Sequence, residues 1–238
     1  VMSGGCIDAD VVGQALAALE DKKPRKVRYG AGSPYVDLPL PCGGSITVLI
    51  IPTPDKESIA TVLRTLNARN SICVRYHESG LIEADRAALP STTTNISVTY
   101  EPKIRIRIAG RGADCLALAR LAIASNYDLH VQLTNAQDIE DATQAGVRSI
   151  EHLQTPTALP ATSDDPWTAF VLMFHDSHWE APLLRQALEG PAFYIGAVGS
   201  RRTHAKRCIE LSQQGISEAA IARIHVPIGL VPSLRDAS

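Results

Sequence analysis

The sequence predicts an α/β protein: a Rossmann-like, doubly wound parallel sheet preceded by a smaller α+β domain. Three observations carry this prediction. After Pro102, short apolar or β-branched runs alternate with stretches of helical spacing, the pattern of a parallel sheet with helices on both faces. A glycine turn, Gly110-Arg111-Gly112, follows the first of those strands and opens a helix. Before residue 95, strands and helices are joined by proline and glycine turns with no such alternation. The 238 residues suffice for two domains, placed at 1–95 and 102–238, with the polar stretch Ser91–Asn95 as boundary. The cleft between them is the expected ligand site.

In the first domain, residues 10–20 (DVVGQALAALE) place apolar side chains at helical spacing. Asp8 is the expected N-cap, and Lys22-Lys23-Pro24 ends the helix. Residues 25–30 and 35–40 read as short strands around the Gly32-Ser33-Pro34 turn. The β-branched run 45–51 reads as a strand closed by Pro52 and Pro54, followed by a helix over 56–69 and a strand over 72–76. In the second domain the strands are 103–109, 129–133, 147–151, 169–174 and 192–197. The helices are 113–125, 136–145, 180–189 and 201–214, and a loop rich in Pro and Thr covers 154–167.

Composition narrows the function classes. Twenty-three Lys and Arg against 25 Asp and Glu give a net charge of −2, so no bulk basic charge drives nucleic-acid binding. Only 5% of residues are aromatic, which argues against stacked single-strand binding. No apolar run approaches the roughly 20 residues that span a bilayer, and no signal peptide is visible. The five cysteines form no CxxC pair, so structural zinc patterns are absent and free thiols in a reducing cytoplasm are expected. Val1 opens directly on a glycine-cysteine motif, which reads as the interior of a longer protein.

Five motifs carry chemistry. Gly110 permits a tight turn and Gly112 lets a pyrophosphate approach the backbone at a helix N-terminus. The acid that holds a ribose about 20 residues on is missing, so the turn binds either a phosphate-bearing ligand or nothing. In Tyr194–Thr203, Gly196, Gly199, Ser200, Arg201 and Arg202 form an anion site at a strand's carboxyl end. The plainer alternative is a capped helix start with solvated arginines. His175 and Asp176 form an acid/base pair, or His175 and His178 ligate a metal, or Asp176 or Ser177 simply caps a helix. Cys6 follows Gly4-Gly5 and Cys42 precedes Gly43-Gly44. A thiolate in such a loop ligates a soft metal or carries sulfur, unless it is a small buried side chain. Cys73 and Cys208, in a strand and a helix, read as structural.

Together these strings resemble the XdhC/CoxI family, the xanthine dehydrogenase accessory proteins. The resemblance rests on Ser3-Gly4-Gly5-Cys6 with Asp8 and Asp10–Val12, Cys42–Ile50, Gly110 and Gly112, His175-Asp176 with Pro182-Leu183-Leu184, Tyr194–Thr203 and Pro227–Leu230, and so spans nearly the whole chain. It implies a homodimeric cytoplasmic chaperone for the molybdenum cofactor (molybdopterin). Such a protein protects the cofactor while a cysteine desulfurase adds its terminal sulfur, then delivers it to a molybdenum hydroxylase apoenzyme. Cys6 and Cys42 are then the molybdenum ligands. Gly43, Gly44, Gly110, Gly112, His175, Asp176, Gly196, Gly199, Ser200, Arg201 and Arg202 bind the rest of the cofactor. Asp114 and Cys115 depart from the family's glycine turn, as does Thr134 from its next strand end. The alternatives are an NAD(P)-dependent oxidoreductase with His175 as acid/base, and a non-catalytic docking protein.

Overall fold

A computed structural model describes residues 5, 7–33, 40, 43–85, 92 and 95–228. The chain divides into two compact units, Val1–Pro102 and Lys103–Ser238.

The first unit opens with helix α1 (Asp8–Asp21). Ile7 occupies the N-cap position without a side-chain cap, so Asp8 is the first helical residue rather than the cap, where its charge complements the helix dipole. Lys22 ends the helix in the left-handed conformation. Strands β1 (Arg25–Gly30) and β2 (Ser45–Ile50) pair antiparallel, Val27 opposite Val48. The strand expected over 35–40 lies outside the described residues, apart from the buried Leu40. Ile7, Val27, Tyr29 and Leu40 form a small core, and the Tyr29 hydroxyl donates to Asp10 at 2.6 Å.

Helix α2 (Lys56–Asn67) is capped by Asp55, whose carboxylate accepts from the Ser58 amide and is held below its usual pKa by that bond. It lies by β3 (Ile72–His77), β4 (Ile82–Asp85) and β5 (Asn95–Tyr100), an antiparallel sheet in the order β4-β3-β5. β5 starts where the sequence suggests a boundary. Its pairing with β3, Val98 opposite Val74, carries this unit on to Pro102.

The second unit alternates β6 (Arg105–Gly110), α3 (Gly112–Ala124), β7 (Asp128–Leu133), α4 (Ala136–Gln144) and β8 (Ile150–His152). Then follow β9 (Thr168–Met173), α5 (Ser177–Glu189), β10 (Tyr194–Ala197), α6 (Arg201–Gln213), α7 (Glu218–Ile221) and β11 (Ile224–His225). Among the described residues the six strands are parallel, in the order β11-β10-β9-β6-β7-β8. Strand order reverses between β6 and β9, and in such sheets ligands bind at the carboxyl ends beside that reversal.

Alternate residues of each strand face opposite layers. Ile108, Leu129, Val131 and Leu133 pack under α3 and α4. Phe170, Leu172, Ile195 and Ala197 pack under α5 and α6. The crossover 153–167 is fully described and carries no helix. It is tied down instead by Asp164, which accepts from Arg107 Nε at 2.8 Å and Nη2 at 2.6 Å. Among the described residues, no helix is long and apolar enough to cross a membrane.

Candidate functional site

The carboxyl ends of β6, β9 and β10 bring together three of the motifs. At the end of β6, Gly110 does not have a positive φ. It is glycine because a Cβ there would stand 2.5 Å from Met173 Cβ on the adjoining strand. Gly112, with φ +78°, supplies the left-handed residue that starts α3. Its amide is already engaged: it donates to Asp138 Oδ2 at 2.8 Å. Asp138 is buried in the first turn of α4, where Asn135 caps the helix and also donates to the same oxygen at 2.6 Å. A pyrophosphate at this turn would meet a carboxylate rather than an open amide. The small residue Cys115 packs beneath, and burial, aided by the Asp138 charge, pushes its thiol up to about 12.

The carboxyl end of β7, where a dinucleotide-binding sheet places its ribose-binding acid, differs from a dinucleotide site too. Gln132 is fully buried, accepting from Arg107 Nη1 at 2.9 Å and donating to Glu151 at 2.7 Å. Arg107 and Glu151 line a polar cleft of about 250 Å³ under the crossover, with Arg105 and His130. Arg105 pairs with Asp128 and Arg107 with Asp164, while His130 Nε2 lies 3.4 Å from Glu151 Oε2.

After β9, His175 is exposed and Asp176 is the N-cap of α5, its Oδ1 accepting from the His178 amide at 3.0 Å. Asp176 therefore serves the helix, as the capping alternative holds. No group of three or more His, Cys, Asp or Glu suited to a metal ion occurs among the described residues.

The turn after β10 is different in kind. Gly196 is enclosed, since a Cβ would press on Tyr194 and Ile228. Tyr194 itself stacks on His225, with ring centroids 4.9 Å apart. Gly199 has φ +124°, and Ser200 caps α6 by accepting from the Thr203 amide at 3.2 Å. Arg201 and Arg202 in the first turn are exposed and form no ion pair among the described residues. Beneath the turn sits Arg207, a residue the sequence pattern did not single out. It is 3% exposed, its Nε donates to Glu180 at 2.9 Å, and its Nη2 donates to the Val198 carbonyl at 3.1 Å. On the next turn, Cys208 Sγ lies 3.5 Å from His204 Nε2; burial, then the Arg207 charge, lowers the pKa of His204.

In the first unit, Gly43 has φ +68°, and the Gly44 carbonyl accepts from Ala31 at 3.1 Å. Cys6 and Cys42 lie outside the described residues. Their described neighbours Ile7 and Leu40 belong to one buried cluster. Cys73 and Cys115 are buried, and neither they nor the half-buried Cys208 form a disulfide.

A family model described as the XdhC Rossmann domain matches residues 106–237. The molybdenum cofactor insertion chaperone PaoD of Escherichia coli (strain K12) is 32% identical over 242 aligned residues, which cover 99% of this chain and 69% of that protein. Among solved structures, one described as a xanthine dehydrogenase from Bacillus halodurans superimposes with a TM-score of 0.67 at 22% identity. That match covers 97% of this chain and 75% of the other, and it shows the shared fold. With more than half of its length matched by the family model and a curated relative at this identity along nearly all of it, the chain belongs to the XdhC family.

Proposed function

We propose that this protein binds the molybdenum cofactor as cargo and assists its sulfuration and insertion into a xanthine dehydrogenase-type molybdenum hydroxylase. The observation that carries this reading is the 32% identity to the chaperone PaoD along 99% of the chain. The geometry supports it at the turn after β10, where a glycine, a capped helix N-terminus and two surface arginines that form no ion pair among the described residues suit the cargo's phosphate. Cys6 and Cys42 are the proposed molybdenum donors, since thiolates favour soft transition-metal centres. Gly110 and Gly112 enter the reading as shape rather than as donors. His175 is exposed at the adjoining strand end and available to hydrogen-bond the cargo.

The partners in this proposal are the apoenzyme, a cysteine desulfurase and a second copy of the chain, in the cytoplasm. The nicotinamide alternative has less support. The Gly112 amide is bonded to Asp138, and the carboxyl end of β7 runs from the buried Gln132 through Leu133, Thr134 and Asn135 without a ribose-binding acid.

Expression in a host that makes the cofactor, followed by oxidation and measurement of the fluorescent pterin released, tests the reading. Near-stoichiometric pterin is expected, falling in Cys42→Ala without loss of folding. A folded wild-type protein without pterin sinks the proposal. Unchanged retention in Cys42→Ala removes that residue from the site.

A further inference from the structure

The guanidinium of Arg207 is held as a fork by Glu180 and yet is incompletely bonded. Glu180 Oε2 accepts from Nε and lies 2.9 Å from Nη2, while Nη2 also donates to Val198 O at 3.1 Å. Nη1 is buried and has no hydrogen-bond partner among the described residues. Arginine has five N–H donors, and buried ones are almost always satisfied, so this group is short of an acceptor. Nη2, on the same guanidinium, lies 3.5 Å from where a Cβ on Gly199 would stand, so the group that carries the unpartnered Nη1 sits directly against the glycine turn. Gly199 puts no side chain between the two. The 13-residue helix α6 starts there, with the orphan amides of its first turn and the exposed Arg201 and Arg202 around it.

We propose that Arg207 is a buried oxyanion-binding residue, completing at the Gly199 turn a site for a phosphate or diphosphate group. Glu180 positions its fork. This rests on the reading of the turn as the phosphate end of the cargo site and names the residue that makes it selective. Arg207 supplies planar, oriented donors from below, while Arg201 and Arg202 attract the anion from the rim. The carboxylate of Glu180 orients the fork and balances its charge, so it also competes with the incoming anion.

The competition makes the proposal testable with inorganic phosphate and pyrophosphate, titrated calorimetrically into the full chain. Arg207→Lys keeps a charge but loses the fork, and is expected to weaken pyrophosphate binding at least tenfold. Glu180→Gln keeps the fork and removes the competing charge, and is expected to tighten it several-fold. The double variant Glu180→Gln/Arg207→Met leaves no buried charge unpaired and serves as the folded control; its binding should vanish. Pyrophosphate binding tighter than phosphate indicates a diphosphate-bearing ligand, and equal binding a phosphomonoester. If wild type binds neither anion, or the folded double variant binds as wild type does, the proposal is overturned. The pterin assay reads separately. Pterin with no Arg207-dependent anion binding overturns this site alone, and Arg207-dependent binding without pterin overturns the cargo reading alone.

Discussion

The amide of Gly112 donates to Asp138 Oδ2 at 2.8 Å, so the first glycine turn of the sheet is closed from within by a carboxylate. The same oxygen accepts from the Asn135 side chain, and Asp138 is only 8% exposed. Asp138→Ala leaves both donors short of an acceptor and is expected to cost about 1–3 kcal/mol of stability. Asp138→Asn keeps an acceptor and should cost less. Urea unfolding checks the order; equal losses would mean that these hydrogen bonds are not what the residue contributes.

Cys115 beneath this turn makes a pH prediction. Burial, and then the Asp138 charge, raise its pKa from 9.0 to about 12. In the unfolded chain the thiol loses its proton near 9, while the folded protein keeps it to about 12, so the folded state binds the extra proton. Its contribution is fully present below pH 9 and is lost as pH rises through 12. Across that window stability should fall by about 1 kcal/mol per pH unit from this group. Cys115→Ala should show a shallower alkaline slope than wild type, with the tyrosines unchanged. Identical slopes would show that this thiol does not govern the alkaline limb.

Gly110 and Gly112 are both glycine, for different reasons, and substitution separates them. A Cβ at Gly110 meets the Cβ, Cα and carbonyl carbon of Met173. Gly110→Ala is therefore an overpacking change, expected to cost about 1–3 kcal/mol. Met173→Ala should not rescue it, because alanine keeps the offending Cβ. At Gly112 nothing stands within 4 Å, and the cost of Gly112→Ala comes from φ +78° alone, about 1–2 kcal/mol. Asn at Gly112 should be better tolerated than Ala; at Gly110 it should not. Thermal unfolding of the four variants decides this.

The alternation from β6 to α6 is legible because each strand there is a short apolar run with a turn or cap beside it, as Asn135 before α4 and Ser200 before α6. β5 is harder to see. Asn95 and Ser97 give it a polar look, and it becomes a strand by pairing with β3, a relation distant in sequence. β11 is two residues long and exists only by pairing with β10. The glycine turns were found as turns, but not what closes or completes them. Asp138 reaches Gly112 from 26 residues away, and Glu180 reaches Arg207 across 27. Charged residues in amphipathic stretches read as solvent-facing, and only the packed layers reveal Arg107, Glu180 and Arg207 as buried.

Arg107 illustrates the energetic side of such burial. Its side chain is 2% exposed and that of Asp164 3%, and the bidentate bond between them fastens the helix-free crossover to the sheet. The guanidinium also lies 4.0 Å over the Phe170 ring. Removing one partner strands a buried charge, so Asp164→Ala is expected to lose about 3–5 kcal/mol. The double change Arg107→Met/Asp164→Ala should lose less than the sum of the two single changes. Additive losses in denaturant unfolding would mean that the pair is not coupled.

Arg201 and Arg202 are the exposed counterpart of this buried chemistry, and salt should tell the two apart. Adjacent helical residues point about 100° apart, so the two arginines face the turn unequally. Both are exposed, and an exposed charge contributes only about 1 kcal/mol at low ionic strength. Arg201→Ala is therefore expected to weaken pyrophosphate binding about fivefold in dilute buffer, and hardly at all near 0.5 M salt, where the Debye length is well under about 8 Å. The part of the binding that depends on the buried Arg207 should persist at that salt, because buried pairs are screened far less. Titrations of wild type and Arg201→Ala at the two salt concentrations measure both. Arg201→Ala binding as wild type does in dilute buffer would take Arg201 out of the site, and a salt-independent loss would place it inside the turn rather than at its rim.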